Sequence, residues 1–88
     1  MRIKDNYTLK KIADVWSVIP LGDAVLNLTG ILTLNDSGRI LWELLLRGAT
    51  YEDLANAMLS EYDVSYDEAY ADAVEFVEKL DRLGCIEM

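Results

Sequence analysis

Ser37 is the residue of this chain best placed for covalent chemistry, because it follows Asp36 where a helical pattern begins. Carrier proteins attach a phosphopantetheine arm to the serine of an Asp-Ser pair that opens a helix. With Asn35, the same two residues could instead cap a buried helix, since their side chains accept bonds from free amide N–H groups. Gly38 follows the serine, where carriers usually have a large apolar residue, and this favours the capping role.

The other side chains that could do chemistry lack the partners that they need. The chain has no histidine, which removes the commonest general base and most zinc sites. Cys85 is the only cysteine, and no cationic residue adjoins it in sequence to activate the thiol. The acidic residues between 67 and 81 are spread along the polar side of one predicted helix, which is typical of a solvated face. We therefore expect no catalytic residue, no cofactor and no metal site.

Composition and charge limit the possible partners. The chain has 88 residues, of which 52% are hydrophobic and 27% are charged, and these values are typical of one folded domain. The formal net charge of −8 disfavours nucleic acids and anionic membrane surfaces, because proteins bind both through cations. No apolar run is long enough for a signal peptide or a membrane span, so the cytoplasm is the expected location. A partner with basic residues would suit this charge.

The first third of the chain has the composition of β-strands. Four short runs are rich in β-branched, aromatic and aliphatic residues, at 7–12, 15–20, 24–28 and 31–34. Pro20 ends the second run, and Thr29-Gly30 links the last two as a hairpin would. We predict three to four antiparallel strands between about residues 7 and 34.

Three helices should follow, at about 36–47, 51–62 and 66–83, because the apolar period becomes helical. Thr50 is placed to cap the second helix, and Ser65 with Glu68 forms a capping box at the start of the third. Gly48 and Gly84 are placed to end the first and third helices. Antiparallel strands followed by a three-helix bundle predict an α+β, winged-helix-like fold, with residues 1–88 as a single domain.

The first predicted helix is apolar over most of its circumference, since its polar side is one narrow stripe that begins at Arg39. Such a helix is surrounded by other elements, so we predict that Leu44 and Leu45 are both buried. The core stripe of the third helix is predicted to consist of Ala69, Ala73, Phe76, Val77, Leu80 and Leu83.

A longer pattern runs through the second part of the chain. It consists of Leu34-Asn35, Ile40, Trp42, Leu45, Gly48, Thr50-Tyr51-Glu52-Asp53-Leu54, Tyr62-Asp63-Val64, Ala69, Asp72-Ala73, Phe76-Val77, Leu80 and Leu83-Gly84. In order and spacing, over about residues 30–86, this pattern resembles the coenzyme PQQ synthesis protein D (PqqD) family. Members of that family are the founding examples of the peptide-recognition domains used in the biosynthesis of ribosomally synthesised and post-translationally modified peptides (RiPPs).

The resemblance implies a non-catalytic adaptor. Such domains bind the leader segment of a precursor peptide and present the precursor to a modifying enzyme of the radical-SAM, protease or cyclase type. The leader adds as a strand beside the third strand of the domain and lies against its third helix. The expected partners are therefore a precursor peptide and that enzyme. The protein itself could be a monomer or a homodimer, because an exposed strand edge can also pair with a second copy.

The resemblance also indicates where the leader would bind. The predicted residues on the third strand and the segment before it are Leu28, Thr29, Ile31, Leu32, Thr33 and Leu34. Counting 100° per residue around the third helix puts Tyr70 and Val74 on one shoulder of the core stripe, although both could equally well pack on the N-terminal strands. The predicted residues on this helix are Tyr70, Ala73, Val74, Val77 and Asp81. The alternative function is a phosphopantetheine-carrying acyl or peptidyl carrier protein modified on Ser37.

Overall fold

Antiparallel strands followed by three helices make up the fold, as a computed structural model of residues 1–22 and 32–88 shows. The elements are β1 (Arg2–Ile3), β2 (Tyr7–Ile12), β3 (Val15–Pro20), β4 (Leu32–Leu34), α1 (Asp36–Arg47), α2 (Tyr51–Glu61), α3 (Tyr66–Arg82) and β5 (Ile86–Glu87). This order confirms the predicted α+β fold class. The runs predicted at 24–28 and the start of the run at 31–34 lie outside the described residues.

Within the described residues, the main sheet contains three antiparallel strands in the order β2-β3-β4. A two-residue turn joins β2 to β3, and its residues Ala13 and Asp14 have φ angles of 50° and 65°. Two successive positive φ values match the right-handed twist of a hairpin, and the turn adopts them although Ala13 and Asp14 do so less readily than glycine. On the other side of β3, Trp16 lies opposite Leu34 and Val18 lies opposite Leu32. Among the described strands, β4 pairs with β3 alone and is an edge strand.

A second, smaller sheet pairs the first and last described strands. β1 and β5 are antiparallel, with Ile3 opposite Ile86, and both side chains are buried. The sequence did not predict these strands, because two residues are too few to show an alternating pattern. The pair holds the segment before β2 against the segment after α3.

Each helix begins with a side-chain cap. The backbone N–H of Gly38 donates to Oδ1 of Asn35 at 2.8 Å at the start of α1. At the start of α2, Thr50 and Asp53 form a reciprocal capping box with bonds of 3.0 and 3.1 Å. Ser65 accepts a bond from the backbone N–H of Glu68 at the start of α3. A cap of this kind stabilises a helix by about 1 kcal/mol, so these residues set where the helices begin.

The core lies between the sheet and the helices, and α1 contributes its largest side chain. Trp42 and Leu45 are fully buried, as the central position of α1 requires. The prediction that Leu44 is also buried is wrong, because Leu44 is only half-buried and Leu46 on the same helix is 45% exposed. Other elements therefore cover one broad face of α1 and do not surround it. Phe76 was assigned to the core stripe of α3 and is likewise only half-buried.

Candidate functional site

The open edge of β4 is the first part of the candidate site. In an antiparallel ladder, alternate residues direct their N–H and C=O groups towards opposite sides, so part of the β4 backbone faces away from β3. Leu32 and Leu34 are buried on the core side, whereas Thr33 is exposed. The other predicted residues of this segment are Leu28, Thr29 and Ile31, which lie outside the described residues.

A groove of about 370 Å³ adjoins β4 at Thr33 and Leu34. Its apolar lining comes from four elements, namely Leu34 of β4, Leu41 of α1, Met58 of α2 and Phe76 of α3. Three of these side chains are buried, and the Phe76 ring is half-buried. The groove therefore offers an apolar surface next to a strand edge that no other described strand pairs with.

Gly38 lies on the groove wall, where its neighbours leave little room for a side chain. A Cβ atom added at Gly38 would lie 3.2 Å from Oδ1 of Asn35 and 3.4 Å from Cε1 of Phe76. A large side chain there would have to displace the cap or the phenyl ring. The glycine after Ser37, which is unusual for a carrier protein, thus has a structural role in the first turn of α1.

Four residues of α3 form one wall of the groove: Asp72, Glu75, Phe76 and Lys79. We call them the groove flank. Their spacing of i, i+3, i+4 and i+7 places them on one face of the helix. The three charged side chains are exposed, and none of them forms a salt bridge with another described residue. Their charges are therefore available to a bound molecule.

The structure places the predicted helix residues on other surfaces. Ala73 and Val77 are fully buried in the core, where a ligand cannot reach them. Tyr70, Val74 and Asp81 lie on the opposite side of the core stripe, and none of them lines the groove. We call these three residues the tyrosine flank.

Tyr70 already has partners within the chain. Its ring centroid is 5.8 Å from that of Tyr51 at the start of α2 and 6.0 Å from that of Tyr66. Tilted aromatic pairs at such distances attract one another beyond the area that they bury. Tyr70 thus packs on the start of α2. Both of its aromatic partners lie on helices, Tyr51 on α2 and Tyr66 on α3 itself, and neither lines the groove.

The hydroxyl group of Ser37 takes part in the helix cap. Its Oγ donates to Oδ1 of Asn35 at 2.9 Å, and the same oxygen accepts the N–H of Gly38. The side chain is half-buried beside the groove. This arrangement is the one expected of a first-turn residue.

The next candidates are Cys85 as a nucleophile and clusters of side chains that could hold a metal ion. Cys85 is fully buried, and burial raises the pKa of its thiol, so the unreactive protonated form predominates at neutral pH. Within residues 1–22 and 32–88, no three His, Cys, Asp or Glu side chains are grouped closely enough to hold a metal ion. In the same part of the chain, no helix combines the length and the apolar character needed to cross a bilayer.

Sequence comparison decides the family. A sequence model of coenzyme PQQ synthesis protein D (PqqD) matches residues 24–86, which is most of the chain. The chain belongs to the PqqD family. No curated protein matches it in sequence.

Two solved structures share the fold of this PqqD-family chain. "TbiB1 in Complex with the TbiA(beta) Leader Peptide" is 24% identical with a TM-score of 0.78, and the match covers 99% of this chain and 95% of that one. "Lasso peptide synthetase B1 complexed with the leader peptide" is 23% identical with a TM-score of 0.75, over 96% and 93% of the two chains. The likeness therefore extends beyond the family match to the N-terminal strands.

Proposed function

We propose that this PqqD-family protein binds the leader segment of a ribosomally synthesised precursor peptide and presents the precursor to a modifying enzyme. The observation that carries this proposal is the open edge of β4 beside an apolar groove. The two solved structures of the same fold support it, because both are described as complexes with a leader peptide.

Main-chain pairing would provide the part of the binding energy that does not depend on the sequence of the leader. The leader adds as a fourth strand beside β4, and its N–H and C=O groups bond to those that face away from β3. Thr33 is exposed on this strand and lines the groove, so the two parts of the site meet there. This mode of binding tolerates many leader sequences, since backbone groups are the same in all of them.

The groove would select the leader by its side chains. Alternate residues of an added strand point to the same side, so every second leader residue can enter the groove. Leu34, Leu41 and Phe76 offer apolar contacts there. Burying one aliphatic or aromatic side chain contributes about 1.5–3 kcal/mol, part of which offsets the entropy lost on association.

Charge would guide the approach of the leader. Residues 1–47 carry six cations and five acids, a formal charge of +1, whereas residues 48–88 carry two cations and eleven acids, a formal charge of −9. A leader that contains basic residues is attracted to this second part of the chain, which includes α3. Such steering raises the association rate and weakens as salt increases.

We further propose that residues 1–88 act as one non-catalytic recognition domain. In this role the protein holds the precursor while the chemistry is done by a separate enzyme of the radical-SAM, protease or cyclase type. The encounter takes place in the cytoplasm, because a ribosomally made precursor is available there before any export.

Calorimetric titration with synthetic leaders tests the proposal. The leaders come from precursors encoded beside the gene, and the variants are Phe76→Asp and Val74→Asp. Both residues are half-buried on α3, but Phe76 belongs to the groove flank and Val74 to the tyrosine flank. Phe76→Asp should weaken binding by about 2 kcal/mol or more, because it places a carboxylate in an apolar contact. Val74→Asp should bind like the wild-type protein.

Circular dichroism controls for the folding of both variants. If the wild-type protein binds none of these leaders, the adaptor function is wrong. If Val74→Asp loses affinity while Phe76→Asp keeps it, the leader binds on the tyrosine flank and the groove is not the site.

A further inference from the structure

The charges of the groove flank have an order along α3. Asp72 and Glu75 lie towards the N-terminal half of the helix, Lys79 lies nearer its C-terminal end, and Phe76 lies between the carboxylates and the ammonium group. All three charged side chains are exposed at the groove and lack a salt-bridge partner among the described residues. The groove wall is thus negative at one end, apolar in the middle and positive at the other end.

The spacing of these groups is close to that of a strand. A rise of 1.5 Å per residue puts Asp72 about 6 Å from Phe76 along the helix axis, and Phe76 about 4.5 Å from Lys79. Alternate residues of a strand are about 6.7 Å apart, so three successive residues on one side span roughly 13 Å. The flexible four-carbon stem of Lys79 can cover the difference of about 3 Å.

We propose that the leader carries a bipolar motif, with a cation at position i, a large apolar residue at i+2 and an anion at i+4, or the same three in reverse order. This inference rests on the proposed function and specifies its ligand. The cation faces Asp72 and Glu75, the apolar residue contacts Phe76, and the anion faces Lys79. All three point to one side of the added strand.

The motif differs from what the net charge alone suggests. A formal charge of −8 favours a leader that is basic throughout, but a cation beside Lys79 would be repelled. Exposed charge pairs add little affinity, so their main effect is to select the register in which the leader pairs with β4. A shift by one residue turns all three side chains away from the groove, because strand residues alternate between sides.

A displayed library of random peptides of about 12 residues, a length that exceeds a typical strand, tests this motif. Peptides that bind are selected separately on the wild-type protein, on Lys79→Glu and on Lys10→Glu. Lys10 is an exposed lysine of β2 that does not line the groove, so its reversal changes the net charge equally. The wild-type protein and Lys10→Glu should enrich the bipolar motif, whereas Lys79→Glu should enrich a cation in place of the anion.

Titration of one selected peptide completes the test. Lys79→Glu should weaken its binding roughly threefold to tenfold, and exchanging the anion of the peptide for Lys should restore binding to that variant. Enrichment of apolar residues without the charge pattern, or with a pattern that Lys79→Glu does not change, overturns the inference and leaves the peptide-binding function standing. If the wild-type protein enriches nothing beyond a Phe76→Asp control, the proposed function fails and the motif fails with it.

Discussion

The two flanks of α3 are similar in composition but differ in their surroundings. Each has one half-buried aromatic residue, Phe76 on the groove flank and Tyr70 on the tyrosine flank, and each has at least one acidic residue. Phe76 lines an open groove next to β4, whereas the Tyr70 ring lies against the rings of Tyr51 and Tyr66. We therefore expect a bound peptide to contact Phe76 and not Tyr70, because only the groove flank has space beside its aromatic ring.

The largest expected effect is a loss of stability on substitution of Val77, which lies between the two flanks. Val77 is fully buried on the core stripe, so Val77→Asp would bury an unpaired charge and should cost about 3–5 kcal/mol of stability. Val74 is three residues away and half-buried, and Val74→Asp should cost about 1 kcal/mol or less. Urea denaturation of the two variants measures the difference. Equal losses would show that the core stripe does not separate the flanks.

The next effect concerns the strand edge beside the groove flank. N-methylation of single amides in a bound leader removes one donor at a time. Methylation of an amide that bonds to β4 should cost about 1–3 kcal/mol of binding, because a buried acceptor loses its partner. The costly positions should alternate along the leader, because only every second residue of a strand directs its N–H group towards the same neighbour. Losses at every interior position would indicate instead that the leader binds as a helix, since each interior amide of a helix donates a backbone bond.

On the tyrosine flank we expect an effect of similar size, but on stability and not on binding. Tyr70→Ala removes the contacts with Tyr51 and Tyr66 and should lower stability by about 1–3 kcal/mol, since the ring is half-buried. Leader affinity should not change, because Tyr70 does not line the groove. Thermal melting and calorimetry on the same sample separate the two quantities. A loss of affinity with unchanged stability would assign the leader to this flank.

The smallest effect is expected at Ser37. Ser37→Ala removes one bond to Asn35 at the edge of the groove and should cost at most about 1 kcal/mol of stability, with leader binding retained. Incubation with a phosphopantetheinyl transferase and coenzyme A, followed by intact mass measurement, tests the carrier function directly. A mass gain that disappears in Ser37→Ala would support a carrier protein and contradict the adaptor.

The sequence predicted the elements of this fold better than their contacts. Asn35, Thr50 and Ser65 cap helices as predicted, because capping depends on residues three or four positions apart. Counting 100° per residue shows that the core stripe of α3 has two edges. It does not show which edge lies beside β4, because this depends on how the sheet packs on the helix. Phe76 was accordingly assigned to the core, and Tyr70 was proposed for the groove.

The pairing of β1 with β5 was not predictable in this way. It joins residues that are far apart in the chain, through strands of two residues each. Leu44 is a similar case, since a helix that is apolar all round predicts burial but does not show which side has no neighbour. Local chemistry thus defines the helices and their ends, whereas the groove of the candidate site is formed by long-range packing.

The buried side chain of Cys85 can be used to measure how often the fold opens near β1 and β5. Its carbonyl accepts the N–H of Lys4 at 3.0 Å, and its side chain is fully buried just before β5. A thiol reagent can react only when the residues that cover Cys85 move away, so the labelling rate under native conditions measures how often this part of the core opens. Because Cys85 does not line the groove, a comparison of the labelling rates with and without leader shows whether a peptide bound at β4 also slows the opening around Cys85.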